Sequence, residues 1–249
     1  MERWAGRWSG FAGTATAEVD ELLMVASEPR EFSGLLRRCR AIERLSWPVQ
    51  FARSAELNGR RLLLVAHGHG QGLAGEAMDA AAGRRLAAVI STGSCGALDP
   101  ALGPGDAVLA TRIEAVGGRS FEAVLPRTGF RTARGPVVSV DQVVRTTAEK
   151  RRLHEQGFLA VEMEAAAVAE RATRWRVPFY CVRAVTDTAG EELRIDLNAA
   201  RDTRGRIRDA RVVWAAIRQP ALLPELLKLW RRSHVAAETI GRLIADCQF

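Results

Sequence analysis

Two carboxylates separated by one methionine, Glu162-Met163-Glu164, stand where the apolar run Gly157–Val161 gives way to an alanine-rich stretch from Ala165. Carboxylates at the start of a helix complement its dipole, and the same pair can accept hydrogen bonds from sugar hydroxyls. Another acid, Asp187, closes the run Pro178–Val185 after Thr186. At a strand end it is either a capping group or, with its proton held by burial, a general acid. Thr92-Gly93-Ser94-Cys95-Gly96-Ala97 reads as a Gly-rich turn whose backbone N–H groups could hold an anion or a hydroxyl. Ser27-Glu28-Pro29-Arg30-Glu31 follows the first apolar run and reads as a solvated helix start. His67 and His69 read as solvated turn residues, because no third metal ligand lies near them in sequence. Neither a metal nor a cofactor is expected.

The elements that must position these groups are visible as short apolar runs. Leu22–Ala26, Arg61–Ala66, Leu86–Ser91, Gly105–Ala110, Gly135–Val140, Gly157–Val161 and Pro178–Val185 read as strands, several of them apolar on both faces. Helices are expected from Phe32 to Cys39 with Arg37, Arg38 and Arg40 on the wet side, from Leu73 to Ala82, and from Ala165 to Arg174. This alternation is the α/β signature. It predicts a single α/β domain over 21–204, a central mixed sheet flanked by helices, with the chemistry-bearing residues at the strand ends where such sheets bind ligands. From Gly205 the pattern is helical only, giving a C-terminal extension over 205–249; residues 1–20 carry no assignable pattern. In the extension, Leu222, Leu223, Leu226, Leu227 and Trp230 form an apolar stripe that Val235, Ile240, Leu243 and Ile244 extend, and packing against the core is its expected role.

Composition excludes several classes. The 249 residues are 47% hydrophobic and 26% charged, which is globular. No apolar run reaches the length of a membrane span, and the charged first 25 residues do not read as a secretory signal. Four scattered cysteines make no metal or disulfide motif, so a cytoplasmic protein is expected. The net charge of +7 attracts anions, but without zinc-finger spacing or an aromatic RNP pattern nucleic acid is not an expected partner.

Taken together, "VISTGSCGALDPALGPGDAVLA" at Val89–Ala110, "VEMEAAAVAERATRWRVPFYCVRAVTD" at Val161–Asp187 and "SVDQVV" at Ser139–Val144 resemble the nucleoside phosphorylase and nucleosidase superfamily, over residues 21–190. Within it the chain is most similar to nucleosidases acting on methylthioadenosine and S-adenosylhomocysteine. The resemblance implies a purine nucleosidase, a small-molecule nucleoside as partner, and a homodimer or higher homo-oligomer. It implies that Glu164, with Glu162 beside it, binds the ribose hydroxyls and Met163 packs beneath the sugar. Asp187, after Thr186, protonates N7 of the leaving purine; Val143 and Val144 flank the base; Ser94, Cys95 and Gly96 line the base and ribose. A Glu after the first strand activates water, aligned as Glu31 in preference to Glu28. A base and an acid on opposite sides of the scissile bond follow inverting-glycosidase logic, and the acid must be protonated near neutral pH or gain its proton on binding.

The sequence also departs from that pattern. Phosphorylases of the superfamily carry an Arg shortly before the Gly-Ser pair, where Ser91 and Thr92 stand here, so water is favoured over phosphate; Arg30 keeps the phosphorylase alternative open. Val143 replaces the stacking aromatic of the nucleosidases. The stretch between Ile113 and Gly135 is short, which leaves the 5′ side more open. "IRQPALLPELLKLWRRSHVAAETIGRLI" at Ile217–Ile244 resembles the tail of hopanoid-associated nucleosidases, implying a lipid-linked adenosine and a weak case for a membrane surface. A catalytically inactive nucleoside-binding protein is the alternative of a different class.

Overall fold

The computed structural model describes residues 21–195 and 219–249; the unassigned segment 1–20 and the 204/205 boundary lie outside the described residues. In chain order the elements are β1 (Glu21–Ala26), α1 (Ser33–Leu36), β2 (Arg40–Arg44), β3 (Phe51–Leu57), β4 (Arg60–Ala66), α2 (Gln71–Asp79), β5 (Leu86–Ala97), β6 (Ala107–Ala115), β7 (Ser120–Glu122), β8 (Ala133–Ser139), α3 (Thr147–Glu155), β9 (Ala160–Glu162), α4 (Ala165–Trp175), β10 (Phe179–Asp187) and α5 (Leu223–Asp246).

The ten strands among the described residues join one mixed sheet. β1 pairs in parallel with β4 and β5, and β10 runs parallel to β5 but antiparallel to β6. The pairings β5–β9, β9–β8, β8–β6, β6–β10 and β10–β5 close on themselves into a ring, and β1, β4, β3 and β2 extend from β5 as a wing. The period-2 geometry of a strand sorts the apolar runs between two faces. Leu23, Val25, Leu63 and Val65 join the core beneath α2 and α4, whereas Leu22, Met24, Leu62 and Leu64 join the core beneath α1 and α5. Burial on both faces is why these runs carry no polar alternation.

The helix expected from Phe32 to Cys39 is instead a 3₁₀ turn, Pro29–Phe32, followed by the single turn α1; Arg40 begins β2. α1 packs closely against α5. A Cβ on Gly34 would lie 2.1 Å from the carbonyl oxygen of Ala237, and one on Gly241 2.2 Å from the carbonyl carbon of Gly34, so the two backbones touch. Thr92–Ala97, expected as a turn, is the second half of the twelve-residue β5. Its backbone is held in register by Val182–Asp187 of β10 and by Ala160 and Val161 of β9. β2, β3, β7 and α3 go unread in the sequence.

Only the second half of the C-terminal stripe packs as expected: Ile240, Leu243 and Ile244 are buried, whereas Leu223, Leu227, Trp230 and Val235 are 46–56% exposed. No helix among the described residues is long and apolar enough to cross a membrane.

Candidate active site

The ends of β1, β4, β9 and β10 and the second half of β5 converge on one cavity of about 630 Å³. Its lining includes every site residue that the family resemblance implied: Glu31, Ser94, Cys95, Gly96, Val143, Val144, Glu162, Met163, Glu164, Thr186 and Asp187. It also includes Glu28, Arg30 and His69, and a wall from α5.

Glu31 is not a solvated helix-start residue; it is 8% exposed. Its Oε2 accepts from the backbone N and Oγ of Ser27, both at 3.0 Å, and from the N of Glu28 at 3.1 Å. Its Oε1 accepts from the N and Oγ of Ser94 at 2.8 and 2.9 Å. This network ties the loop after β1 to β5. It also requires a bare backbone opposite: at Gly93, with φ +141°, a Cβ would lie 2.7 Å from Oε1 of Glu31. Gly96 plays the same part for the other acid, since a Cβ there would lie 3.0 Å from Oδ2 of Asp187. The two carboxylates therefore lie against points of β5 three residues apart, about 10 Å of extended strand.

Asp187 is 7% exposed. Oδ1 meets the Thr186 hydroxyl at 3.1 Å, and Oδ2 accepts from Lys150 Nζ at 2.6 Å. The Thr186 hydroxyl also lies 3.2 Å from the carbonyl oxygen of Cys95. Burial pushes the Cys95 thiol up, so it stays protonated.

The two carboxylates of Glu162-Met163-Glu164 separate in role. Glu162 lines the cavity, but its oxygens are committed. Oε2 accepts from the N of Glu164 and Ala165 at 2.9 and 2.8 Å and from Arg183 at 2.5 Å, and Oε1 accepts from the Ser139 hydroxyl. Arg183, 1% exposed, also donates to Ser91 Oγ at 2.8 Å. Glu164 immediately precedes α4, and its Oε1 accepts from the N of Gly70 at 2.8 Å. Burial, and then the neighbouring Glu162 charge, push the Glu164 carboxyl up, against His69, Gly70 and Arg183.

His67 and His69 are not solvated turn residues. His67 is 6% exposed, accepts from the N of Gln50 at 3.0 Å through Nδ1, and meets Glu76 at 3.0 Å through Nε2. His69 pairs with Glu28 Oε1 at 2.9 Å and lies 3.9 Å from Glu164 Oε1. Burial opposes its charge, but the Glu28 hydrogen bond and the surrounding carboxylates outweigh burial and hold the imidazole above its ordinary value. Glu28 is held below the usual range: burial works against this, and the His69 bond and charge and Arg30 prevail. Arg30, half exposed, is 2.7 Å from Glu28 Oε2.

Sequence reasoning missed Lys150 and His69. Lys150 sits within Glu149-Lys150-Arg151-Arg152, which reads as a wet surface. The one available signal for His69 was its place after a buried strand. The remaining wall is apolar: Val140, Val143, Val144, Val161 and Met163 on one side, Leu226, Leu227, Trp230, Ala237 and Ile240 of α5 on the other. No residue between Ile113 and Gly135 lines the cavity.

The family model described as the phosphorylase superfamily matches residues 23–123 and 115–218. A 5′-methylthioadenosine/S-adenosylhomocysteine nucleosidase of Staphylococcus aureus (strain bovine RF122 / ET3-1) is 30% identical over 139 residues, 45% of this chain and 61% of that protein's length. The namesake of Mycobacterium bovis is 28% identical over 197 residues, 58% of this chain and 76% of that one. The crystal structure of the Neisseria meningitidis nucleosidase with methylthio-immucillin-A superposes with a TM-score of 0.69 at 22% identity, covering 92% of this chain and 98% of that one. The family match runs through the strands that hold Glu31, Ser94, Glu164 and Asp187, and by it the chain belongs to the phosphorylase superfamily.

Proposed function

We propose that the protein is a purine nucleosidase that hydrolyses the N-glycosidic bond of an adenosine-type nucleoside. One observation carries this reading: Glu31 and Asp187 line one cavity from either end of the Ser94–Gly96 stretch, with Glu164 between β9 and α4 beside them. Glu31 takes a proton from water as the water attacks the anomeric carbon. Asp187 gives a proton to N7, and the electrons of the breaking C–N bond pass to the departing base. A base and an acid separated by about 6.5–9.5 Å is the spacing an inverting hydrolysis needs. Glu164 takes the ribose hydroxyls, with Met163 beneath the sugar and Val143 and Val144 against the base. Glu162 holds the backbone of Glu164 in place. The named activity of the relatives supports the same chemistry.

Water is the favoured nucleophile. Ser91 and Thr92, at the position of the superfamily's phosphate-binding Arg, are buried. Arg30 is already paired with Glu28, so a phosphate there would face a carboxylate. The α5 wall favours a second reading of the substrate: a large apolar 5′ group, of which a hopanoid-linked adenosine is one example, would lie along Leu226, Leu227 and Trp230.

The test is adenine release from a panel of 5′-substituted adenosines, with and without phosphate. Asp187→Asn should lower turnover by ~10²–10⁴-fold. Glu31→Gln should impair it and Glu28→Gln far less. Near-normal turnover by Asp187→Asn, or strict dependence on phosphate, would defeat the hydrolase reading.

A further inference from the structure

Lys150 is the one buried residue of α3, and its side chain is fully shielded from solvent. An ammonium group in such a place is costly unless paired and hydrogen-bonded. Its donors go to Asp187 Oδ2 at 2.6 Å and to the carbonyl oxygens of Thr188 and Glu191 at 2.8 and 3.0 Å. Two of the three partners are backbone, which a neutral donor would satisfy as well. The third is the carboxyl read above as the general acid.

We infer that Lys150 is a positioning residue for Asp187: its ammonium engages Oδ2, leaves Oδ1 to carry the proton to the base, and stabilises the carboxylate that remains. This rests on the proposed assignment of Asp187. The proton passes from Oδ1 to N7 as the glycosidic electron pair moves onto the base. The base leaves neutral and Asp187 is left anionic beside a cation that does not move. The proton taken from water rests on Glu31, and exchange with solvent returns both acids to their starting states.

The experiment compares kcat/KM across pH for adenosine and for 4-nitrophenyl riboside, whose leaving group departs without a proton. Asp187→Asn should lower adenosine cleavage by ~10²–10⁴-fold and spare the nitrophenyl riboside; if it spares both, the assignment of Asp187 fails, and with it the footing of this inference. With that control met, Lys150→Gln should lower kcat/KM for adenosine by about tenfold, short of the ~10²–10⁴-fold expected of losing the acid itself. It should also move the alkaline limb of the adenosine profile up by about 1–3 pH units, the effect of removing an adjacent opposite charge. The nitrophenyl riboside should be cleaved at close to the wild-type rate, and Lys150→Arg should restore the profile. An unmoved limb in Lys150→Gln, or an equal loss on both substrates, would reduce Lys150 to a tie for the Thr188–Glu191 loop and overturn the inference. Should Lys150→Gln not fold, Lys150→Gln/Asp187→Asn decides: recovery of a cooperative melt shows that Lys150 compensates the Asp187 charge, and equal loss of folding overturns that.

Discussion

Replacing Gly93 by alanine puts a methyl group where the Glu31 carboxylate now lies. The added carbon would be 2.7 Å from Oε1 and 3.0 Å from Cδ. Non-bonded contacts relax at about 3.5 Å, so the carboxylate would have to retreat by about 0.8 Å against five hydrogen bonds. The φ of +141° adds backbone strain, of order 1–3 kcal/mol for a non-glycine residue. For a chain of this size that is a fall in Tm of about 2–12 °C. A misplacement of about 1 Å in a reacting group can cost ~10² in rate. Gly93→Ala should therefore lose roughly two orders of magnitude in kcat/KM for adenine release while still melting cooperatively. Gly72→Ala is the control: it lies in α2 with nothing within 4 Å of the new methyl group. It should keep full activity and gain about 0.5–1 kcal/mol from helix propensity. Gly93→Ala that is destabilised as expected yet within about threefold of wild-type kcat/KM would show that Glu31 does not need its observed position, against the ~10² that misplacement predicts.

Arg183→Met should destabilise by about 3–5 kcal/mol, because Glu162 would be left as a buried charge without its cation; Arg183→Met/Glu162→Gln should recover part of that in thermal melts, and a double variant no more stable than the single would refute the pairing. The His69–Glu28 pair should contribute stability that is greatest between about pH 4.5 and 6.5. The raised His69 pKa gives a contribution complete below its ordinary 6.5 and lost as pH rises through the folded value. The lowered Glu28 pKa gives one complete above its ordinary 4.5 and lost as pH falls through the folded value. Urea denaturation of wild type and His69→Gln across pH 4–9 should show the gap between them closing at the alkaline end, and a constant gap would count against the pair. Leu227→Ser and Trp230→Ala should raise KM for a long-chain 5′-alkyl adenosine by about tenfold, given ~1.5–3 kcal/mol for fully burying such side chains, and leave methylthioadenosine little changed; equal effects on both would detach α5 from the 5′ group.

Much of the fold was readable because β1, β4, β5 and β10 are apolar on both faces. The wing was not. β2 is fully exposed, and its charged residues Arg40, Glu43 and Arg44 give no apolar signal. Thr92–Ala97 reads as a turn because glycine usually marks one; here Gly93 and Gly96 leave room for Glu31 and Asp187 beside the strand. The catalytic candidates were found through motif order. Lys150 could not be: its neighbours Glu149, Arg151 and Arg152 are exposed, and nothing in the sequence marks the one residue of that turn that faces inward.

The closed run of strands has a consequence for how the protein behaves at high concentration. In the ring each of β5, β6, β8, β9 and β10 has a neighbour on both sides over at least part of its length, which leaves little continuous edge there. Among the described residues the long free border of the sheet is β2, and there Arg40, Glu43 and Arg44 set charge along the exposed backbone. Charged residues on a border strand discourage edge-to-edge polymerisation. The lack of an apolar pattern that hides β2 in the sequence is thus the same feature that disfavours edge pairing at this border.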